Sequence, residues 1–259
     1  MQKLAFLCAF TIVFVVALSG CKKDEGNPTT QPTPRTAGQA PTPTNFGGPV
    51  PTNVLAITRT STTLEPIPGF PVTTDACVGV GSFGTPGADK GTFTATYSGT
   101  NYVFGKTTTS GAVSYLHPDP AAPTTLINLG STASTVSFAV SGYAITPAAS
   151  NSIVVPGQMR MTAPAASASV PRNAALTVTW TTLGSGAQNA IFITDFSGHS
   201  VFKQNLGVVT TAAFTAAEMG TLSAGGAFVY ALSYNYRLTN GNETVLIGEA
   251  VALNQVTLQ

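Results

Sequence analysis

The repeat that most restricts this chain has a period of two residues, where a helix would need a period near 3.6. From Gly91 to Tyr97, Phe93, Ala95 and Tyr97 fall on one face and Thr92, Thr94 and Thr96 on the other, the alternation of a strand with one side buried. No stretch of the folded part keeps an apolar stripe at helical spacing, so the fold class expected is all-β. In the first half, residues 53–59, 91–97, 102–104, 112–116, 125–129 and 136–145 read as strands, with a turn at residues 98–101. In the second half, residues 157–162, 175–181, 190–194, 200–205, 212–215, 227–238 and 243–257 make about seven runs, the count of a β-sandwich. Asn240-Gly241, lying between the last two runs, is a strong hairpin signal because both residues tolerate positive φ.

Polarity in this chain comes from hydroxyls. Only 8% of its 259 residues are charged, against roughly 25% in an average soluble domain. Eleven Lys and Arg face ten Asp and Glu, and removal of a leader carrying Lys3 would leave ten against ten. Nucleic acid binding needs clustered cations to displace counterions from phosphates. The sequence has no such cluster, and that partner class is set aside.

The chain opens with a Lys3 n-region and an apolar run from Leu4 to Leu18, short of the roughly 20 residues a spanning helix needs. Leu18-Ser19-Gly20-Cys21 closes it and resembles the lipobox of bacterial lipoproteins. The resemblance implies cleavage after Gly20, a diacylglycerol on the Cys21 thiol and an acylated amine. Two or three chains, at about 0.8 kcal/mol per buried methylene, would hold the protein on a membrane. Lys22-Lys23-Asp24-Glu25 follows at once and resembles the Lys-plus-acidic export signal of surface lipoproteins in some Gram-negative lineages. The address this implies is the outer membrane, lipid-anchored and facing the cell exterior.

The domain organisation expected is a signal peptide over residues 1–20, a lipidated cysteine and disordered Pro/Thr-rich stalk over 21–51, a first β module over 52–156 and a second over 157–259. The stalk has prolines at 28, 32, 34, 41, 43, 49 and 51 and almost no large apolar residue, so it cannot build a core. Extended at about 3.1 Å per residue, it would hold the folded part clear of the bilayer. In the last hundred or so residues, Leu176-Thr177-Val178-Thr179-Trp180 and Leu222-Ser223-Ala224-Gly225-Gly226-Ala227-Phe228 resemble the second and penultimate strands of a fibronectin type III or related Ig-like sandwich. The resemblance implies a core-facing Trp180. Phe228 stands where the family usually has a tyrosine, so the corner hydrogen bond of that tyrosine is not expected.

Several runs imitate chemical motifs. Gly79-Val80-Gly81-Ser82-Phe83-Gly84 matches a dinucleotide fingerprint, but no helix follows to aim its amides at a pyrophosphate. Gly99 to Thr107 imitates a phosphate loop with five residues between the glycines instead of four. His117, between prolines, and His199, four residues beyond Asp195, are read as solvated loop residues, since neither belongs to a set of three or four metal ligands. Cys77 is the one thiol left after Cys8 leaves and Cys21 is acylated, and its apolar neighbours suggest a buried small hydrophobe. No catalytic residue, cofactor or metal site is assigned. Tyr234 and Tyr236 share one strand face and could be core or a carbohydrate platform. The expectation is a non-enzymatic binding or adhesion module for a protein or glycan ligand. A structural subunit of an outer-membrane assembly is the alternative, and an enzyme with an unrecognised site comes third.

Overall fold

The alternation at residues 93–97 is realised in the computed structural model, where Phe93 and Ala95 have no exposed surface and Thr92 faces solvent. The structure describes residues 35–36, 51–67, 69–84, 87–119, 121 and 126–259. Gly20, Cys21, Lys22, Lys23, Asp24 and Glu25 lie outside these, as do the leader and all of the stalk but Arg35, Thr36 and Pro51. In chain order the strands are β1 (Arg35–Thr36), β2 (Asn53–Ile67), β3 (Phe70–Phe83), β4 (Phe93–Tyr97), β5 (Thr100–Val103), β6 (Gly105–Thr109), β7 (Ala112–His117), β8 (Ser134–Val140), β9 (Ser152–Val155), β10 (Met159–Ala163), β11 (Ser169–Val170), β12 (Leu176–Thr182), β13 (Gln188–Asp195), β14 (His199–Lys203), β15 (Thr211–Phe214), β16 (Gly225–Thr239) and β17 (Thr244–Leu258). The fold is all-β, as expected.

One ten-stranded sheet runs β1-β14-β13-β16-β17-β2-β3-β7-β6, with β11 beside the end of β17. Two smaller sheets, β5-β4-β8-β9 and β10-β12-β15, complete the described set. Both lie on the same face of the large sheet. Leu55, Ile57 and Leu246 point from that face into a first core with Phe93, Phe138 and Val155. Ala250, Ala252 and Val256, which follow Leu246 at even spacing along β17, point from it into a second core with Val178, Trp180 and Ile193. The second half thus has the strand order of an Ig-like sandwich: its first, second and fifth long strands oppose a sheet of its fourth, third, sixth and seventh. Trp180 is buried between solvent-facing Thr179 and Thr181, as the resemblance implies.

The last strand joins the halves. β17 pairs antiparallel with β16 and parallel with β2 over Thr244–Asn254 and Asn53–Thr63, and its side chains are buried on both faces, as in the middle of a parallel pair. A polar cluster fixes the junction. Asn53 Nδ2 donates to the Tyr143 hydroxyl at 2.8 Å and to Thr244 at 3.1 Å, while Asn240 Nδ2 donates to the same Tyr143 hydroxyl at 2.7 Å. Arg59, buried between the two cores, donates to the carbonyls of Ser131 at 3.0 Å and Thr132 at 3.2 Å. Burial lowers its pKa, with Cys77, Tyr97 and Asp75 opposing.

Some expectations need correction. Residues 126–129 form no ladder, although Ile127 and Leu129 still fill the first core. The β16–β17 connection is a four-residue loop, with Thr239 opposite Thr244, and not a two-residue turn. Asn240 and Gly241 do take positive φ, 53° and 64°. β3, β6 and β9 were not legible as strands, and β3 is the second strand of the whole folded part.

Candidate interaction surface

The glycine run that imitates a nucleotide fingerprint is a packing device in β3. A Cβ at Gly79 would lie 2.2 Å from Phe104 Cζ, and one at Gly81 would lie 2.6 Å from Phe93 Cε1. The glycines let two core rings press against the sheet. Gly105, Lys106 and Thr107 likewise belong to β6, where the Lys106 ammonium meets Asp89 at 3.0 Å. Asp89 is held down at a pKa of about 2 by the Gly91 N–H, then by Lys106 and the Tyr115 hydroxyl. Neither run forms a phosphate cradle.

Folding brings together one cluster that resembles a hydrolase triad. Asp195 Oδ2 and Ser223 Oγ each lie 3.1 Å from His199 Nδ1. Acid–base relay needs the carboxylate on one ring nitrogen and the hydroxyl on the other, so this geometry cannot activate Ser223. It is a turn clamp: Asp195 accepts the backbone N–H of His199 at 2.9 Å and of Ser223 at 2.6 Å. Burial alone would raise the Asp195 pKa, but those two N–H bonds and the imidazole together hold it below the ordinary value. His199 is solvent-facing at a turn, as expected.

His117 is not a solvated loop residue. Its place at the end of β7, opposite Gly79, turns the ring inward between Tyr102 and Phe104, and its Nδ1 lies 2.9 Å from the Val103 carbonyl. Cys77 is buried, as read from its neighbours, and burial pushes its thiol up to about 12 against the pull of Arg59. Among the described residues no three His, Cys, Asp or Glu stand close enough to hold a metal ion, and no helix is long and apolar enough to cross a membrane.

The feature that points outward is the β2–β3 hairpin. β2 keeps its pairing with β17 as far as Thr63, after which β17 turns to β11 as neighbour. On its other side β3 meets β7 only at Gly79–Ser82, so its edge from Phe70 to Val78 has no described partner strand. The outer end of the hairpin therefore peels away as a two-stranded arm. It carries Ile67, Phe70 and Val72, which are 62%, 69% and 53% exposed. A latch holds its base: Arg160 donates to Asp75 Oδ2 at 2.8 Å and to the Ser61 hydroxyl, which donates to Asp75 Oδ1 at 2.8 Å. Sequence reading missed the arm because prolines at 66, 68 and 71, Gly69 and the polar run Thr73-Thr74-Asp75 are signals of a loop.

No protein-family model and no curated relative matches the chain. Among solved structures, the fibronectin(III)-like modules of Clostridium thermocellum CbhA align with 81% of this chain and 92% of their own, at 10% identity and a TM-score of 0.22. The BSP domain of a biofilm-associated protein aligns with 70% of this chain and 27% of its own, at 16% identity and a TM-score of 0.21.

Proposed function

We propose that this chain is a lipid-anchored protein of the outer membrane, displayed on the cell exterior, that acts as a non-enzymatic binding or adhesion module. The observation that carries the reading is the β2–β3 arm, with three large apolar side chains in solvent at the end of a strand pair whose outer edge has no partner strand among the described residues. An open edge supplies a row of N–H and C=O groups for strand addition, and alternate side chains supply selectivity. The Ile67, Phe70 and Val72 tip suits a protein ligand better than a glycan, since its largest exposed side chains are apolar. Cys21 would tether the module and the stalk would project it. The same open edge favours, as a second reading, a structural subunit that adds its arm to a neighbour in an outer-membrane assembly.

Protease shaving of intact cells tests the address. The folded part should be cut while a periplasmic control survives, and protection until the outer membrane is permeabilised would overturn surface display. Retention of the purified mature protein on cells lacking it tests the arm. The double variant I67S/F70S should lower retention at least tenfold, and unchanged retention would remove the arm from the binding surface.

A further inference from the structure

The ladder between β2 and β3 settles which main-chain groups of the arm face outward. The Gly84 N–H donates to the Thr52 carbonyl at 3.1 Å, just outside the pair Asn53 and Phe83. In an antiparallel ladder, residues alternate between bonding to the strand on one side and facing the other side. Counted from Gly84, the even-numbered residues of β3 bond to β2 and the odd-numbered ones face away. Gly79 and Gly81 use that side to meet β7. Pro71, Thr73, Asp75 and Cys77 face the same way, and among the described residues no strand pairs with them there. This row offers carbonyls at all its positions and N–H donors at all but Pro71, whose missing donor costs the hairpin nothing on that side.

A strand added to this row has to satisfy the ends and the charge of the row. It must stop opposite Val78, because β7 takes the edge from Gly79 onward. It must also set no carboxylate beside Asp75, since like charges directly opposite each other destabilise a strand pair. The same segment of a second copy, run antiparallel about a two-fold axis at Thr74, satisfies both. Phe70 of one copy then falls opposite Val78 of the other, and the chain turns at Gly69 before it reaches β7. Val72 falls opposite Ala76 and Thr74 opposite its own copy, so apolar side chains meet on one face. On the other face Asp75, held by Arg160 at 2.8 Å, falls opposite Thr73, and Pro71 opposite Cys77. Outward-facing residues meet only outward-facing residues, with about six main-chain hydrogen bonds across the axis.

Neighbouring registers do worse. An axis at Asp75 sets the two carboxylates against each other. An axis at Thr73 sets Cys77 against Gly69, whose N–H already goes to the Glu65 carboxylate. We infer that two copies of this chain pair through β3 about Thr74, joining their arms into one ribbon of order β2-β3-β3-β2. The inference rests on the reading in which the arm adds to a neighbour, and it makes that neighbour a second copy.

Sedimentation velocity on the mature chain with Cys21→Ser tests the pairing. The chain should pass from monomer to dimer below 100 µM. Thr74 is exposed, and Thr74→Lys and Thr74→Glu should each raise the dissociation constant at least tenfold by setting like charges across the axis. An equimolar mixture of the two variants should pair again, to within about threefold of the parent. Thr73→Pro removes an outward N–H and none that bonds to β2, and it should weaken pairing at least tenfold with Trp180 emission and far-UV circular dichroism unchanged. A chain that stays monomeric at 100 µM overturns the inference. A dimer indifferent to Thr74 overturns it equally, as does a mixture that fails to pair. Retention on cells lacking the chain cannot come from self-pairing and so tests the arm separately. A monomeric chain retained through Phe70 loses this inference and keeps the arm, with a foreign strand as its occupant, whereas a monomeric chain that is not retained loses both.

Discussion

Two long hairpins of almost equal length have opposite fates in this molecule. β16–β17, with two 15-residue strands, is buried at the centre of the large sheet, and its turn is pinned. Asn240 at that turn donates to Tyr143 and to the Ala144 carbonyl at 2.7 and 2.8 Å, and accepts the Thr146 N–H at 2.6 Å. β2–β3, with strands of 15 and 14 residues, starts in the same sheet but ends with Ile67 and Phe70 in water. Strand length does not separate them. A polar turn found partners on the neighbouring sandwich, while an apolar turn was left facing outward, where burial would stabilise it only through another molecule.

The largest effect should come from breaking the strand the sandwiches share. Leu246 has no exposed surface and packs in the first core, whereas Ala250, Ala252, Val256 and Leu258 of the same strand pack in the second. Leu246→Ala should cost about 3 kcal/mol. Because β17 serves both cores, the loss should move the unfolding transition seen by Trp180, which sits in the second. A Trp180 transition unmoved while circular dichroism loses a separate first phase would show that the halves melt independently.

Asn240→Ala tests the pinned turn. It removes the side-chain bonds to Tyr143, Ala144 and Thr146 and puts alanine at a φ of 53°. The expected cost is about 2 kcal/mol, read as a shift in denaturant midpoint without change in slope. A loss below about 0.5 kcal/mol would mean that the pairing of β2 with β17, and not the turn, holds the hairpin in place.

Much of the second sandwich was legible in the sequence, and the reason is local. β12 alternates, with Val178 and Trp180 against Thr177, Thr179 and Thr181, while β13, β16 and β17 are continuous apolar runs, and glycine or asparagine punctuates several of the turns between them. The first sandwich was less legible because its own strand β3 hides its pattern: Gly79 and Gly81 occupy the inward positions, so the apolar contacts come from Phe104 and Phe93 across the core. The parallel pairing of β2 with β17 joins residues about 190 apart in sequence, and nothing local signals it. Of the candidate site, the open edge could not be read because it depends on where neighbouring strands stop. The Asp195, His199 and Ser223 cluster was half visible in the four-residue spacing of Asp195 and His199, but Ser223 arrives from another loop.

Glu249 distinguishes the central hairpin by pH. Burial raises its carboxyl from an ordinary 4.5 to about 7, only partly opposed by the Thr58 hydroxyl. A raised acid favours its protonated form in the folded state, so this contribution is complete below about pH 4.5 and is lost as the pH rises through about 7. That difference corresponds to about 3 kcal/mol at most. Glu249→Gln should therefore stabilise the protein by about 1 to 2 kcal/mol at pH 8 and by nothing measurable at pH 4. Equal effects at both values would place the carboxyl in water.

The smallest energetic effect belongs to the arm, and that is its diagnostic property. Phe70→Ser changes a side chain that is 69% exposed, so the stability of the free protein should move by less than about 0.5 kcal/mol. Amide exchange separates the hairpins more sharply. The edge of β3 from Phe70 to Val78 has no described partner strand on its far side, and its outward-pointing amides should exchange through local opening, orders of magnitude faster than those of β16 and β17. If a ligand adds a strand there, these amides should gain protection on binding while those of the central hairpin stay unchanged. Protection already present in the free protein would mean that the edge is paired in solution, and recognition would then have to fall to the apolar tip alone.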